Sequence, residues 1–523
     1  MKFKFLIHHI KDKIVVDLDG FKRSVTHTFL TNVIVSFLCF QSLTVCAQNW
    51  NISTGGNTLR NGLSNQFGPI DSSLVWTGGL PSAISRSAVS DSIYLAMVRI
   101  NNFTDFINGS KIVMMDIRNG DTIWTKNLPV DFPNTDWYNR ISAIKNGVLY
   151  ATRSGNNNTS FLYAINASNG SLIWKSESLI DESSSEGLNF LANGDLIVGN
   201  TQSILRINKM DGTTVWQTTR LSYGDGSELA IYGSKIYGII NDLGILKLAS
   251  FDSFTGQLLY KSTAIDGGLV QQLGPFIGNN GKIYLPRSQG NPFTDYLYSF
   301  TDNGVGLTQN WRLPIDYIPF SSSGIGPDGS VYSYNRSGRI IRIDPTLGVV
   351  TDSSMVVLYG NASYPRMSID AAGKVYVTNG GFSDGFFYSF NADLSLRWQT
   401  PIENVFVGGP IIGWEGTLVV CGVGTDIRAY KGEIVAATNE NISKVNSKNS
   451  LLFPNPFRDQ LNFKVDPSLI GSSFFVYDYT GRSVFTGTIS SEISTYDLSH
   501  LSSGIYMFVI GNNKERLVKL IKE

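Results

Sequence analysis

Only four histidines, His8, His9, His27 and His500, occur in the chain, so nothing between Gln48 and Ser499 carries an imidazole. A Ser-His-Asp triad, a Cys-His pair and a histidine zinc site are therefore excluded across that span. Of three cysteines, Cys39 and Cys46 lie in an apolar leader. Cys421 sits among Leu418, Val419, Val420 and Gly422, which reads as a buried small hydrophobe rather than a nucleophile. Carboxylate, lysine and cofactor chemistry stay open. Asp and Asn recur in turns, where folding back on the backbone explains them without a metal, and no acidic cluster stands outside those turns. No metal site is expected. One further constellation pairs arginine with aromatic residues: Arg140 lies ten places before Tyr150 and Arg366 ten before Tyr376. Asp136-Trp137-Tyr138 and Ser363-Tyr364-Pro365 lead into the two arginines. Guanidinium groups beside aromatic faces suit a glycan or a peptide carboxylate. Trp137, Tyr138, Arg140, Tyr364 and Arg366 are thus the candidate ligand-binding residues; the competing role is capping loops and packing between structural repeats.

The elements that position them repeat. Phe161–Trp174, FLYAINASNGSLIW, reads as strand, polar turn and strand, with Asn166 and Gly170 serving the turn. Asp116, Gly120 and Trp124 keep its spacing, as do Asn208, Gly212 and Trp216. Tyr260 takes the aromatic place after Asp252 and Gly256, and Asp352 takes it after Asp344 and Gly348. A second motif, a turn and a short apolar strand, ends at Tyr94, Tyr150, Ile197, Tyr237, Tyr284, Tyr332, Tyr376 and Val419. Outer strands end at Trp76, Trp124, Trp174, Trp216, Tyr260, Trp311, Asp352 and Trp398, and seven steps of 46 residues separate the first from the last. About four strands of 5–6 residues with their turns fill one step, the content of a propeller blade. Both series count eight. Trp76 precedes every inner-strand copy, so Ser73–Thr77 is expected to be the outer strand of the last blade and to close the ring. Trp76, Trp124, Trp174, Trp216, Trp311 and Trp398, at outer-strand ends, are expected to pack blade against blade.

Composition agrees with an all-β chain: 42% of residues are hydrophobic and 16% charged, with 52 glycines for turns. With 42 basic and 42 acidic residues, the chain offers no electrostatic footprint for nucleic acid. Residues 1–47 read as a signal peptide, basic up to Arg23 and apolar from Phe29 to Val45, with cleavage after Ala47. The polar residues that interrupt its apolar run favour cleavage over a membrane anchor, so no permanent transmembrane segment is expected. Residues 433–450 are polar and free of aromatics, a linker. In 451–523, alternation at Leu461, Phe463 and Val465 and a hairpin about Thr480-Gly481-Arg482 mark a small separate β domain.

The recurrent hairpins, the G-x-[IV]-Y strands and the opening NWNISTGGNTLRNG resemble the quinoprotein-type, PQQ-like β-propeller over residues 48–432. FPNPF (453–457), YDYTGR (477–482), LSSGIYMF (501–508) and the final LVKLIKE resemble the C-terminal sorting domain of the type IX (Por) secretion system. The two resemblances imply an eight-bladed propeller followed by an immunoglobulin-like sandwich. They also imply Sec export followed by type IX secretion, through machinery that recognises 451–523, to the medium or the outer cell surface. The propeller resemblance leaves function open, because the family holds quinone-dependent dehydrogenases and non-catalytic scaffolds. Those dehydrogenases clamp a quinone in the channel with a divalent ion and a base, and typically carry an adjacent-cysteine disulfide that Cys421 alone cannot supply. The reading adopted is a non-catalytic binding or scaffold module without quinone, haem or zinc. A quinone-dependent dehydrogenase and a polysaccharide-active propeller are the alternatives.

Overall fold

A four-stranded meander has two apolar faces and cannot cover both by itself, so the eight copies stack face to face around a ring. The computed structural model describes residues 56–432 apart from 79–87, 101–108, 133–137, 155–158, 182–187, 221–227, 266–273, 288–295, 316–320, 336, 358–365, 379–384, 403–405 and 424–425. It also describes 451–522 apart from 454–455, 465–469, 479–482 and 511–515. The leader with its cleavage position after Ala47, the linker 433–450, and the candidate residues Trp137 and Tyr364 lie outside the described residues. The chain divides into two compact units, Met1–Glu433 and Ile434–Glu523.

The first unit holds eight four-stranded antiparallel sheets. Blade 1 shows the pattern: Val89–Asp91 is the inner strand, then Tyr94–Ile100, Ser110–Asp116 and the outer strand Thr122–Lys126. Blades 2 to 7 follow in chain order at 138–181, 189–219, 230–261, 276–314, 324–353 and 367–402. Blade 8 has three strands of its own, Phe406–Ile412, Leu418–Val423 and Ile427–Gly432, and takes Pro69–Gly78 as its fourth, with Trp76 opposite Ala429. The phase offset between the two repeat series had required this closure, and it leaves the ring without an open edge.

All eight outer-strand positions read from the sequence share one register. Trp124 lies opposite Met114, Trp174 opposite Ala164, Tyr260 opposite Ser250 and Asp352 opposite Arg342, with a register shift at the adjoining pair each time. Such bulges re-aim the side chain that follows them. The turn-and-strand copies form the second strand of each blade rather than the inner one, and the first copy is offset. Ile117 N–H donates to the Ile93 carbonyl as Ala167 N–H does to that of Gly147. Tyr94 is therefore the counterpart of Val148, and Ala96 stands where Tyr150 does.

Cores form between blades. Leu95, Met97 and Val113 of blade 1 pack with Val419, Cys421 and Ala429 of blade 8 and with Trp76. Burying each large apolar side chain stabilises by about 1.5–3 kcal/mol. Cys421 is a buried part of that cluster, and burial pushes its thiol up to about 11.

The second unit is a two-sheet sandwich. Leu451–Phe453, Gln460–Lys464 and Ile493–Asp497 form one sheet; Ser483–Thr488, Ser473–Asp478, Gly504–Ile510 and Arg516–Lys522 form the other. Phe463, Phe474 and Phe508 meet between them at centroid separations of 4.6–5.2 Å. His500 lies in a turn with its ring 5.7 Å from Phe485. Among the described residues, no helix is long and apolar enough to cross a membrane.

Candidate functional site

Blade junctions account for the Asx-Gly-Trp spacing. Trp76 lies against Gly120 of the next blade, where a Cβ would fall 2.6 Å from the ring. Trp124 meets Gly170, Trp174 meets Gly212, Trp216 meets Gly256 and Trp311 meets Gly348 in the same way, at 2.5–3.0 Å from such a Cβ. These glycines also hold φ of 67–79°, which the turn demands. The indole N–H then donates to the carbonyl three places before the glycine: Trp76 to Ile117 at 2.7 Å, Trp124 to Ala167 at 2.7 Å, Trp174 to Lys209 at 2.8 Å and Trp311 to Pro345 at 3.2 Å.

Three junctions break the rule, and each substitutes other chemistry. Between blades 4 and 5, Tyr260 donates to Asp302 at 2.5 Å, Tyr237 at 2.6 Å and Lys235 at 2.8 Å. At the junction between blades 6 and 7, Asp352 turns back on its own blade, where Arg342 bridges it to Asp328 at 3.0 and 2.8 Å. There Tyr332 O–H donates to the Ala392 carbonyl at 2.7 Å, serving the turn position that an indole serves elsewhere. Between blades 7 and 8, Trp398 packs against Tyr430, Tyr376 and Phe387.

Residues 56–68 run along the inner edges of the blades. Ile231, Ile277, Ile325 and Ile369 hold one equivalent position in the inner strands of blades 4 to 7, each a single place after the residue facing the recurrent tyrosine. Their N–H groups donate to the carbonyls of Thr58, Leu59, Asn61 and Gly62, all at 2.9 Å. Asn189 of blade 3 adds a side-chain bond to the Thr58 carbonyl at 2.9 Å. Asn57 and Asn61 knit the segment internally, 2.8 Å apart. Arg60 has a left-handed φ of 59° and forms an ion pair with Glu228, the two side chains being 5% and 3% exposed. At the far end Gly68 N–H donates to Asp370 at 2.9 Å, and Tyr376 and Arg397 donate to the Pro69 carbonyl. Burial raises the Asp370 pKa against the bonds from Lys374, Gly68 and Ala372 N–H. The opening NWNISTGGNTLRNG marks its first residues as part of the propeller but not their course, because backbone carbonyls make most of its contacts.

Among the candidate ligand residues, Arg140 lies opposite Thr152, and Arg366 accepts a backbone bond from Thr378 N–H. The two threonines are equivalent, each two places beyond the matching tyrosine, so the arginines share one row of the ring, in blades 2 and 7. They are not neighbours. Arg140 and Tyr138 are half-buried; burial pushes the Tyr138 hydroxyl up, countered in part by the Arg140 charge. Arg366 is 8% exposed and its stem fills the space beside Gly409, whose added Cβ would fall 2.3 Å from that of Arg366. Glu228 stands in the same row of blade 4, two places before Ala230 as Arg366 is before Ser368, and was missed in the sequence.

A quinone and its divalent ion would need carboxylate oxygens available to the ion. The buried carboxylates described here are engaged. Glu228 pairs with Arg60, Asp195 with Arg206 at 2.7 Å, Asp302 with Lys235, and Asp370 with backbone N–H groups. No group of three or more His, Cys, Asp or Glu could hold a metal among the described residues. Among the described residues, this donor set does not fit the cofactor.

Residues 451–523 match the family of secretion system C-terminal sorting domains, and residues 108–351 match that of outer membrane protein assembly factor BamB. No curated protein matches the chain in sequence. Among solved structures, quinohemoprotein alcohol dehydrogenase from Comamonas testosteroni is similar over 82% of this chain and 85% of its own, at 11% identity and a TM-score of 0.50. BamB from Moraxella catarrhalis covers 58% of this chain and 77% of its own, at 12% identity and a TM-score of 0.38. PorZ, a surface component of the type-IX secretion system of Porphyromonas gingivalis, covers 84% and 69%, at 12% identity and a TM-score of 0.37. The likeness to the dehydrogenase is one of fold.

Proposed function

Because the chain joins a PQQ-like β-propeller to a type IX secretion sorting domain, we propose that it is an exported, non-catalytic module that binds or scaffolds a partner outside the cell. The sorting domain marks it for type IX export, to the surface or the medium. The observation that carries the non-catalytic reading is the engagement of Glu228 by Arg60, which occupies a buried carboxylate of the ring with a cation from the same chain. A glycan or a peptide carboxylate is the proposed ligand. Half-buried Tyr138 and Arg140 are its proposed contacts in the row described above, with Trp137, Tyr364 and Arg366 completing the proposal.

Two measurements test it. Retention on a glycan and peptide panel should fall for Arg140→Ala with unchanged melting, whereas lost stability without any ligand for the parent protein would make the arginine a structural cap. A one-to-one absorbance titration with pyrroloquinoline quinone and calcium, together with dye-linked alcohol oxidation, would replace the non-catalytic reading with a dehydrogenase. Export is tested separately: a chain ending at Ser450 should stay inside the outer membrane, and its abundance in the medium would remove the sorting role.

A further inference from the structure

We propose that residues 56–68 form a releasable belt along one mouth of the propeller channel, and that the Arg60–Glu228 ion pair is its lock. The segment meets the inner edges of the blades, and it engages one equivalent amide in each of four successive blades. A linear chain that meets blades 4, 5, 6 and 7 in turn from their inner edges follows the rim of the ring opening. Those amides lie beside each blade's first turn, so the mouth it lines is the one on that side.

The way the segment is held makes it releasable. Apart from half-buried Leu59 and Leu63, its attachments are hydrogen bonds and charges, which water can replace group by group. The tryptophan junctions at the ring's rim are apolar stacks and offer no such exchange. Arg60 interrupts the run of donated carbonyls: Thr58 and Leu59 precede it, Asn61 and Gly62 follow, and its left-handed backbone persists only where the surroundings over-determine it. That turn sends the guanidinium away from the segment and onto Glu228 in the row above. Removing one partner of a buried ion pair is strongly destabilising. The lock and the bonds it protects are thus separable: the pair lies on one blade, and the amides on four.

Site-resolved hydrogen exchange on the full chain tests this. In Arg60→Met, the amides of Ile231, Ile277, Ile325 and Ile369 should exchange at least about tenfold faster, a change of about 1.4 kcal/mol in local opening. The amides of Gly120, Gly170 and Gly212, bonded within outer turns, should keep their parent rates. Glu228→Gln, which keeps shape and removes charge, should give the same pattern and stands in if Arg60→Met fails to fold. The double variant should match either single one, because both remove the same lock. Equal acceleration at every amide, unchanged rates at the four isoleucines, or additive effects in the double variant would each overturn the proposal. None of these outcomes depends on whether the propeller binds a glycan or a peptide.

Discussion

The junction between blades 2 and 3 and the junction between blades 4 and 5 do the same mechanical work with opposite materials. In the first, the Trp174 ring covers Gly212 and one indole N–H finds a carbonyl. In the second, Asp302 collects donors from Lys235, Tyr237, Tyr260 and the Gly304 backbone. The comparison separates what a blade junction requires from what this chain happens to use. Both junctions share a bulge that aims the outer-strand side chain and a neighbouring turn that receives it. Apolar area is optional, but an ionic junction carries a dependence on pH that a stack does not.

The largest break in that comparison should come from removing the ring. Trp174→Ala leaves a cavity and should cost about 3–5 kcal/mol, read as a shift in denaturation midpoint at constant slope. Next is the partner. Gly212→Ala meets both a left-handed backbone and the Trp174 ring 2.6 Å from its Cβ. It should cost more than Gly147→Ala, which shares the positive φ but has nothing within 4 Å. The control should lose about 1–2 kcal/mol from backbone strain alone. The excess measures the stack.

The ionic junction is sharpened by acid. Burial raises the Asp302 carboxyl, but the bonds from Lys235, Tyr237, Tyr260 and Gly304 outweigh it and hold it at about 2, below its usual 3.8. A depressed carboxylate contributes stability that is present above the unfolded value and is lost as pH falls through the folded one. Melting of the parent should therefore drop between about pH 4 and pH 2 by an Asp302-dependent share of about 1 kcal/mol, after allowance for solvent screening. Asp302→Asn should remove that share, and an unchanged acid profile in the variant would reassign it. Trp76→Phe should have the smallest effect, about 1 kcal/mol, because the stack on Gly120 persists and only the bond to the Ile117 carbonyl is lost.

The same contrast explains what could be read in the sequence. A stack of tryptophan on glycine needs two fixed residue types at fixed spacing, so Trp124, Trp174 and Trp216 announced the period and the blade count. Tyr260 and Asp352 kept the spacing but not the type, because their partners, Lys235 with Asp302 and Arg342 with Asp328, are set by three-dimensional proximity. The Tyr94 strand is offset by two places from the sequence reading, since its frame is fixed by the pairing of Tyr94 with Asp116 and the turn bond from Ile117 to Ile93. The candidate ligand residues were half legible. Spacing put Arg140 and Arg366 in one row, but it could not show that Gly409 makes room for Arg366 or that Glu228 shares the row. The course of the channel segment left no trace, as its carbonyls belong to every residue alike.

That segment also works as a gauge. Its donated carbonyls advance by one or two residues for each blade passed, and consecutive Cα atoms are about 3.8 Å apart, so the spacing of inner strands it can serve is fixed. A ring with one blade fewer or more would set its inner edges at a different separation and put the four isoleucine amides out of step with Thr58, Leu59, Asn61 and Gly62. Blade number in this protein is therefore held by a non-repeating stretch of thirteen residues, 56–68, as well as by the repeats themselves, and duplication or loss of a blade requires a matching change in that stretch.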